Sequence, residues 1–161
     1  MIRNALILAT SISILICTAR ADEFPARKPG LWEITTTLKG SPPDVARSCI
    51  DEATEAELLK KAKSTMATIC SRHDTQVIGN IVTVDSICRP VSSEQTSHAV
   101  TTFNGDAAYT TVTTLHYNPP FMGKVDTSMT QDGKWMGPCG PDMQPGDIIT
   151  HGQKLHIGAK P

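Results

Sequence analysis

One stretch limits what this chain can fold into: Cys70-Ser-Arg-His-Asp-Thr-Gln-Val-Ile-Gly-Asn-Ile-Val-Thr-Val-Asp-Ser-Ile-Cys88. Two β-prone runs flank Gly79-Asn80, a strong turn signal. With Ile78-Gly79-Asn80 as the loop, Val77 faces Ile81. Counting outward then puts Cys70 directly opposite Cys88. Opposed residues of an antiparallel pair have Cβ atoms about 4.5–5.5 Å apart, and the closer pairs approach the separation a disulfide needs. The turn and the cysteines, read independently, predict the same closed hairpin. The same register sets His73 opposite Asp85.

The first residues carry a different signal. Met1-Ile-Arg3-Asn is a short positive segment. Ala5 to Cys17 is apolar apart from scattered Ser and Thr, and too short to span a bilayer. Ala19-Arg20-Ala21 is a small-x-small cleavage site. Residues 1–21 read as a secretory signal peptide, with the mature chain starting at Asp22. Cys17 is preceded by Ile16 where a lipidation site needs a small residue, so the Ala-x-Ala signal decides. No second hydrophobic run follows, and a soluble periplasmic protein that does not span a membrane is expected.

Removing 21 of 161 residues leaves 140, enough for one domain with a modest core. Arg3 and Arg20 leave with the signal, so the mature chain is slightly negative. No basic run remains to follow a phosphate backbone, which disfavours nucleic acid as a partner. Of the five cysteines, four remain. An even count in an exported chain reads as two disulfides. The hairpin register selects Cys70–Cys88 and leaves Cys49–Cys139, which would tie the first third of the chain to its last strand. The chain has no Cys-x-x-Cys pair, and export favours oxidation over thiolate ligation of a metal.

Asp22 to Pro29 is a polar lead-in. Gly30 to Lys39 is β-prone, with Trp32, Ile34, Thr36 and Leu38 on one face, and Gly40-Ser-Pro-Pro-Asp44 ends it. A helix follows Cys49: Asp51, Glu52, Glu55 and Glu57 come first, and Lys60, Lys61 and Lys63 last, complementing the helix dipole. Glu57 and Lys61 form an i,i+4 pair. Leu58, Leu59, Ala62 and Met66 make a narrow apolar stripe suited to covering an edge or face of a sheet. Strands are expected over Thr96–Phe103, Ala107–Tyr117 and Lys124–Met129. Asn104-Gly105-Asp106 turns between the first two, Asn118-Pro-Pro120 stops the second, and Asp132-Gly133 marks a turn or bulge. Residues 22–140 form the expected single domain, and 141–161 a Gly/Pro-rich tail with a short strand near Ile148. The order of elements predicts an α+β fold: a curved antiparallel β-meander, half-barrel-like, with one helix and two disulfides.

Several of these segments resemble one family. Pro29-Gly30-Leu31-Trp32-Glu33-Ile34-Thr35, Cys49-Ile-Asp51, the Cys70/Cys88 pair around Gly79-Asn80, Gly105-Asp106 with Tyr109, and Trp135-x-Gly137-Pro138-Cys139 together are similar to the bacterial domain-of-unknown-function 3617 family. The resemblance runs from about Arg27 to Gly146. It implies a small exported protein of a Gram-negative periplasm with structural cysteines. It implies no activity, and no catalytic residue carries over.

The residues themselves point away from catalysis. Gly-x-Ser-x-Gly is missing, the even cysteine count leaves no free thiol, and the acids cluster in the helix where its dipole accounts for them. No enzyme and no cofactor are expected. His73 with Asp85 reads as a cross-strand polar pair on a solvated face. Met122, Met129, Met136 and Met143, with His116, His151 and His156, suggest a soft-metal alternative with Cu(I) the first choice. A seven-residue step flips faces in a strand, however, and such methionines serve as core filler. The threonines at 35–37, 101–102 and 110–114 suit a half-solvated sheet. A curved sheet under one helix can enclose an apolar pocket. Leu31, Trp32, Ile34, Leu38, Phe103, Tyr109, Leu115 and Trp135 are expected near it; a filled core with no cavity is the favoured alternative. The function expected is a non-enzymatic binding or accessory module for an apolar ligand or an envelope partner; the alternative is a metal-handling protein using Met and His.

Overall fold

The computed structural model describes residues 24–90 and 92–157; the expected signal peptide lies outside them. Among the described residues there are nine strands and one helix: β1 (Gly30–Leu38), β2 (Asp44–Ile50), α1 (Glu52–Ile69), β3 (Cys70–Ile78), β4 (Ile81–Cys88), β5 (Glu94–Asn104), β6 (Ala108–Phe121), β7 (Lys124–Gly137), β8 (Asp147–Thr150) and β9 (Gln153–His156). They form one open antiparallel sheet in the order β3-β4-β5-β6-β7-β1-β2-β8-β9. The run β3 to β7 is the expected meander. The β1–β2 hairpin then inserts between β7 and β8, so the first two strands lie between the meander and the last two.

Both disulfides are present, Cys70–Cys88 and Cys49–Cys139. The hairpin register differs from the expectation by one residue. Gly79-Asn80 is a two-residue turn with Ile78 opposite Ile81 and Val77 opposite Val82, and a bulge between Cys70 and Arg72 restores Cys70 opposite Cys88. The extra residue of a bulge absorbs the shift. His73 therefore faces Ser86 instead of Asp85, and Asp85 takes its hydrogen bond from His98 Nδ1 at 2.7 Å.

Other boundaries also moved. Pro42-Pro43 leads straight into β2, a strand whose Ala, Arg and Ser content hides it in the sequence. β6 continues through Asn118-Pro-Pro120. It can do so because β5 pairing stops at Asn118 and β7 pairing is interrupted from His116 to Phe121, so the missing proline N–H groups break no ladder. β7 runs unbroken through Asp132-Gly133. The bulge expected there lies instead where Leu31 and Trp32 of β1 meet Gly137 and Trp135. The expected tail supplies β8 and β9, which add to β2.

Register assigns the two faces. Trp32, Gln131, Tyr109, Phe103 and Val82 share one; Glu33, Lys134, Thr110 and His116 share the other. In β1 and β3–β7 the buried side chains all lie on the Trp32 face. The buried hydrophobic set is small: Trp32, Cys49, Ile50, Val82, Cys88 and Phe103.

α1 begins with a capping box. Asp51 Oδ1 accepts from Thr54 N at 2.8 Å, and Thr54 Oγ1 accepts from Asp51 N at 2.8 Å. That backbone hydrogen bond holds the Asp51 carboxyl below its ordinary pKa. The Glu57–Lys61 pair forms at 3.2 Å. The helix outruns its lysines, however, and its last turn carries no basic residue. None of its side chains is buried; Leu58 and Met66 are half-buried, and Leu59 is exposed.

Candidate functional site: the helix–sheet cleft

The floor of the site is an aromatic row made by alternation on three strands. Trp32 is fully buried. Its Nε1 donates to Lys28 O at 2.8 Å, which turns the chain before β1. The Trp32 ring lies 5.8 Å from that of Tyr109, which lies 5.9 Å from Phe103. Phe103 and Tyr109 are direct cross-strand partners on β5 and β6. Trp32 and Tyr109 are not, since β7 runs between their strands. Gly133 of β7, opposite both Ile34 and Tyr109, lets them meet: the Tyr109 ring occupies the volume a Cβ there would take.

Arg27 lies above this row. Its guanidinium carbon sits 5.5 Å from the Trp32 ring centroid and 5.7 Å from that of Tyr109. Its Nε donates to Glu55 Oε1 of α1 at 2.8 Å, with the two side chains 17% and 20% exposed. This shielded pair holds the first turns of the helix over the sheet. Tyr109 has its pKa pushed up by burial, partly offset by Arg27.

Because α1 buries no side chain of its own, open space remains beneath and beside it. One hollow of about 210 Å³ is walled by Leu59 of α1 above and by Phe103, Tyr109, Thr111 and Gln131 of the sheet below. A second, of about 570 Å³, runs along Glu52, Ala56 and Leu59. Phe24, Pro25, Arg27, Glu55 and Leu59 line both. Tyr109 Oη donates to Gln131 Oε1 at 3.4 Å and Thr101 and Thr111 pair at 2.8 Å, so the polar groups of the floor are satisfied among themselves. The site can therefore take an apolar group against Phe24, Leu59, Phe103 and Tyr109, with the Arg27–Glu55 pair as its polar rim.

Of the residues expected to form a pocket, Phe103 and Tyr109 line the cleft and Trp32 supports it from below. Ile34 and Leu38 follow on the same face of β1, half-buried. Leu31 faces the other way, opposite Cys49. Leu115 borders a different recess with His98 and His116. Trp135 caps the lead-in: its Nε1 donates to Pro29 O at 3.0 Å, and Lys28 Nζ lies 4.0 Å from its ring. Phe24, Arg27, Glu55 and Gly133 were not among the residues expected at a site. The one available signal was an apolar Phe-Pro step and an arginine immediately before a conspicuous strand.

The methionines and histidines of the metal alternative do not converge. Met122, Met129 and Met136 are spaced by seven residues along the β6–β7 hairpin, roughly 23 Å per step at strand rise. His116 pairs with Asp126, His151 with Asp44 and His156 with Asp147. Among the described residues no three His, Cys, Asp or Glu side chains are grouped to hold a metal ion.

The most distinctive sequence segments also come together here. Leu31 and Trp32 pair with Gly137 and Trp135, a Cβ on Gly30 would collide with Gly137 O and the Trp135 indole, and Cys139 is bonded to Cys49. A family model described as "Protein of unknown function (DUF3617)" matches residues 27–139, from the arginine of the cleft to the second cysteine of that bridge. The chain belongs to the DUF3617 family. No curated protein and no solved structure matches it. The DUF3617 match thus contains the cleft's aromatic floor, its Arg27–Glu55 rim and all four bridging cysteines. Among the described residues no helix is long and apolar enough to cross a membrane.

Proposed function

We propose that this DUF3617 protein is an exported, non-enzymatic binding module that holds an apolar ligand in the cleft between α1 and the sheet. The observation that carries the reading is a helix that lies over an aromatic floor without filling the space beneath it. An apolar stripe over an apolar row normally collapses into contact, because each buried CH₂ is worth about 0.8 kcal/mol. Here Leu59 remains 44% exposed above Phe103, which is itself buried. Both ends of α1 are tethered covalently, by Cys49 two residues before the N-cap Asp51 and by Cys70 at the C-cap. The helix is thereby held as a strap across a hollow. A hollow of a few hundred Å³ with apolar walls and few polar groups suits a small apolar molecule. The periplasm is the compartment in which Ala19-Arg20-Ala21 would be cleaved and the bridges would form.

Native mass spectrometry on protein exported to a bacterial periplasm and purified without reductant tests this. The expected mass starts at Asp22, is short by about four hydrogens for two disulfides, and carries an apolar adduct of lipid size. Leu59→Lys should remove the adduct while leaving the thermal midpoint nearly in place, because 44% of that residue's surface is already exposed. Bare polypeptide that also fails to take up fatty alcohols or a hydrophobic dye would overturn the reading. A copper- or zinc-sized adduct would replace it with the Met and His alternative.

A further inference from the structure

The β6–β7 hairpin projects beyond the rest of the sheet. β5 pairs with β6 only as far as Asn118, and β1 pairs with β7 only as far as Met129. Beyond those points the chain reads Pro119-Pro-Phe-Met-Gly-Lys-Val-Asp-Thr-Ser128, with Asp126 its one acid. Met122, at the turn, is 85% exposed, above Ile78 at 74% and Leu155 at 55%; Val125 is 43% exposed. Pro119 and Pro120 are exposed as well. Phe121 stacks on Tyr117 with ring centroids 5.5 Å apart, which stiffens the base of the tip. Lys124 and Lys39 stand behind it, both exposed; Lys39 is placed there by its N–H bond to Ser128 O at 2.9 Å. Asp126, the nearest acid on β7, is occupied by His116 Nδ1 at 2.8 Å.

A narrow apolar tip with cations behind it fits one kind of surface. A specific protein partner needs about 800 Å² from each side, and a hairpin turn with a few side chains presents far less. A bilayer interface demands no matching shape. It accepts Met, Val and Pro among the upper acyl chains, holds aromatic rings at headgroup level, and receives lysines on its phosphates. We propose that the β6–β7 tip is a membrane-contact element, inserting Met122 and its apolar neighbours into the interfacial zone of an anionic phospholipid bilayer while Lys124 and Lys39 meet the headgroups. The contact is peripheral, and it is independent of whether the cleft holds a ligand.

Sedimentation with vesicles of equal parts phosphatidylcholine and phosphatidylglycerol tests it on the full exported chain. The wild-type protein should partition to these vesicles and only weakly to pure phosphatidylcholine. Met122→Asp should lower partitioning by about tenfold or more, from the apolar contact it removes. Lys124→Gln should lower it by about fivefold, and the distant control Leu155→Asp should leave it unchanged. Met122→Trp provides a second readout, a blue shift of its emission on the mixed vesicles. The proposal is overturned if the wild-type protein ignores both vesicle types, if Met122→Asp binds as wild type does, or if the tip proves necessary for a protein contact while vesicles are not bound.

Discussion

Gly133 shows how one missing side chain arranges this site. In a strand interior glycine is normally a cost, and alanine is better by about 0.5–1 kcal/mol. Here the opposite sign is expected, because an added Cβ would collide with Cε1 and Cζ of the Tyr109 ring. Either the ring leaves Trp32 or β7 moves, and such overpacking costs about 1–3 kcal/mol. Gly133→Ala should therefore lower the urea midpoint and shift tyrosine and tryptophan fluorescence. Gly140→Ala, where a Cβ meets nothing within 4 Å, should do neither. Equal behaviour of the two variants would remove Gly133 from the account of the cleft. From sequence alone Asp132-Gly133 looks like a turn, since turn propensity is local and the tyrosine that needs the vacancy is on another strand. His73 and Asp85 misled for a related reason: a one-residue bulge changes every facing pair beyond it.

At the level of elements, one buried acid ties the β8–β9 hairpin together. Asp147 is 2% exposed. It accepts from Lys154 Nζ at 2.7 Å, from Gln144 N at 2.9 Å and from His156 Nδ1 at 2.9 Å. The Lys154 hydrogen bond first, then the Gln144 N–H and His156, hold its carboxyl well below the usual carboxylate range against the opposing effect of burial. A folded-state value below the unfolded one, about 3.9, means the ionised form stabilises the fold. That stabilisation is complete above the unfolded value and is lost as pH falls below it toward the folded one. On acidification below about pH 5, the thermal midpoint of the wild-type protein should therefore fall more steeply than that of Asp147→Asn, which starts lower at neutral pH. Parallel curves for the two proteins would show that Asp147 does not carry this dependence. The hairpin is also anchored through Gly146 N to Cys49 O at 2.9 Å, which joins it to the Cys49–Cys139 bridge.

Over the whole molecule, covalent closure compensates for a thin core. A wide open sheet with one strapped helix buries few large side chains, and disulfides supplement so small a core. Cys49–Cys139 closes a separation of 90 residues and Cys70–Cys88 one of 18. The chain-entropy relation assigns them about 4.6 and about 3.2 kcal/mol. Replacing both Cys49 and Cys139 by serine should cost more stability in urea than replacing Cys70 and Cys88, by about 1 kcal/mol or more. Cys70→Ser alone should expose Cys88 alone to a thiol reagent. Labelling at Cys49 or Cys139 in that variant would mean the bridges rearrange.

The features the chain determined by itself are those written within a few residues. They are the Gly79-Asn80 and Gly105-Asp106 turns, the acid-first helix after Cys49, the alternation that puts Trp32 and Ile34 on one face, and the cysteine pairing that follows from a turn. Local sterics and period-two or period-3.6 burial encode these directly. The tertiary structure alone decided that β1–β2 inserts between β7 and β8, that Trp135 closes onto Pro29 across 106 residues, and that Arg27 and Glu55 meet over Tyr109. Contacts at that distance leave no local pattern. They depend on strands far apart in sequence pairing in one sheet while both disulfides close.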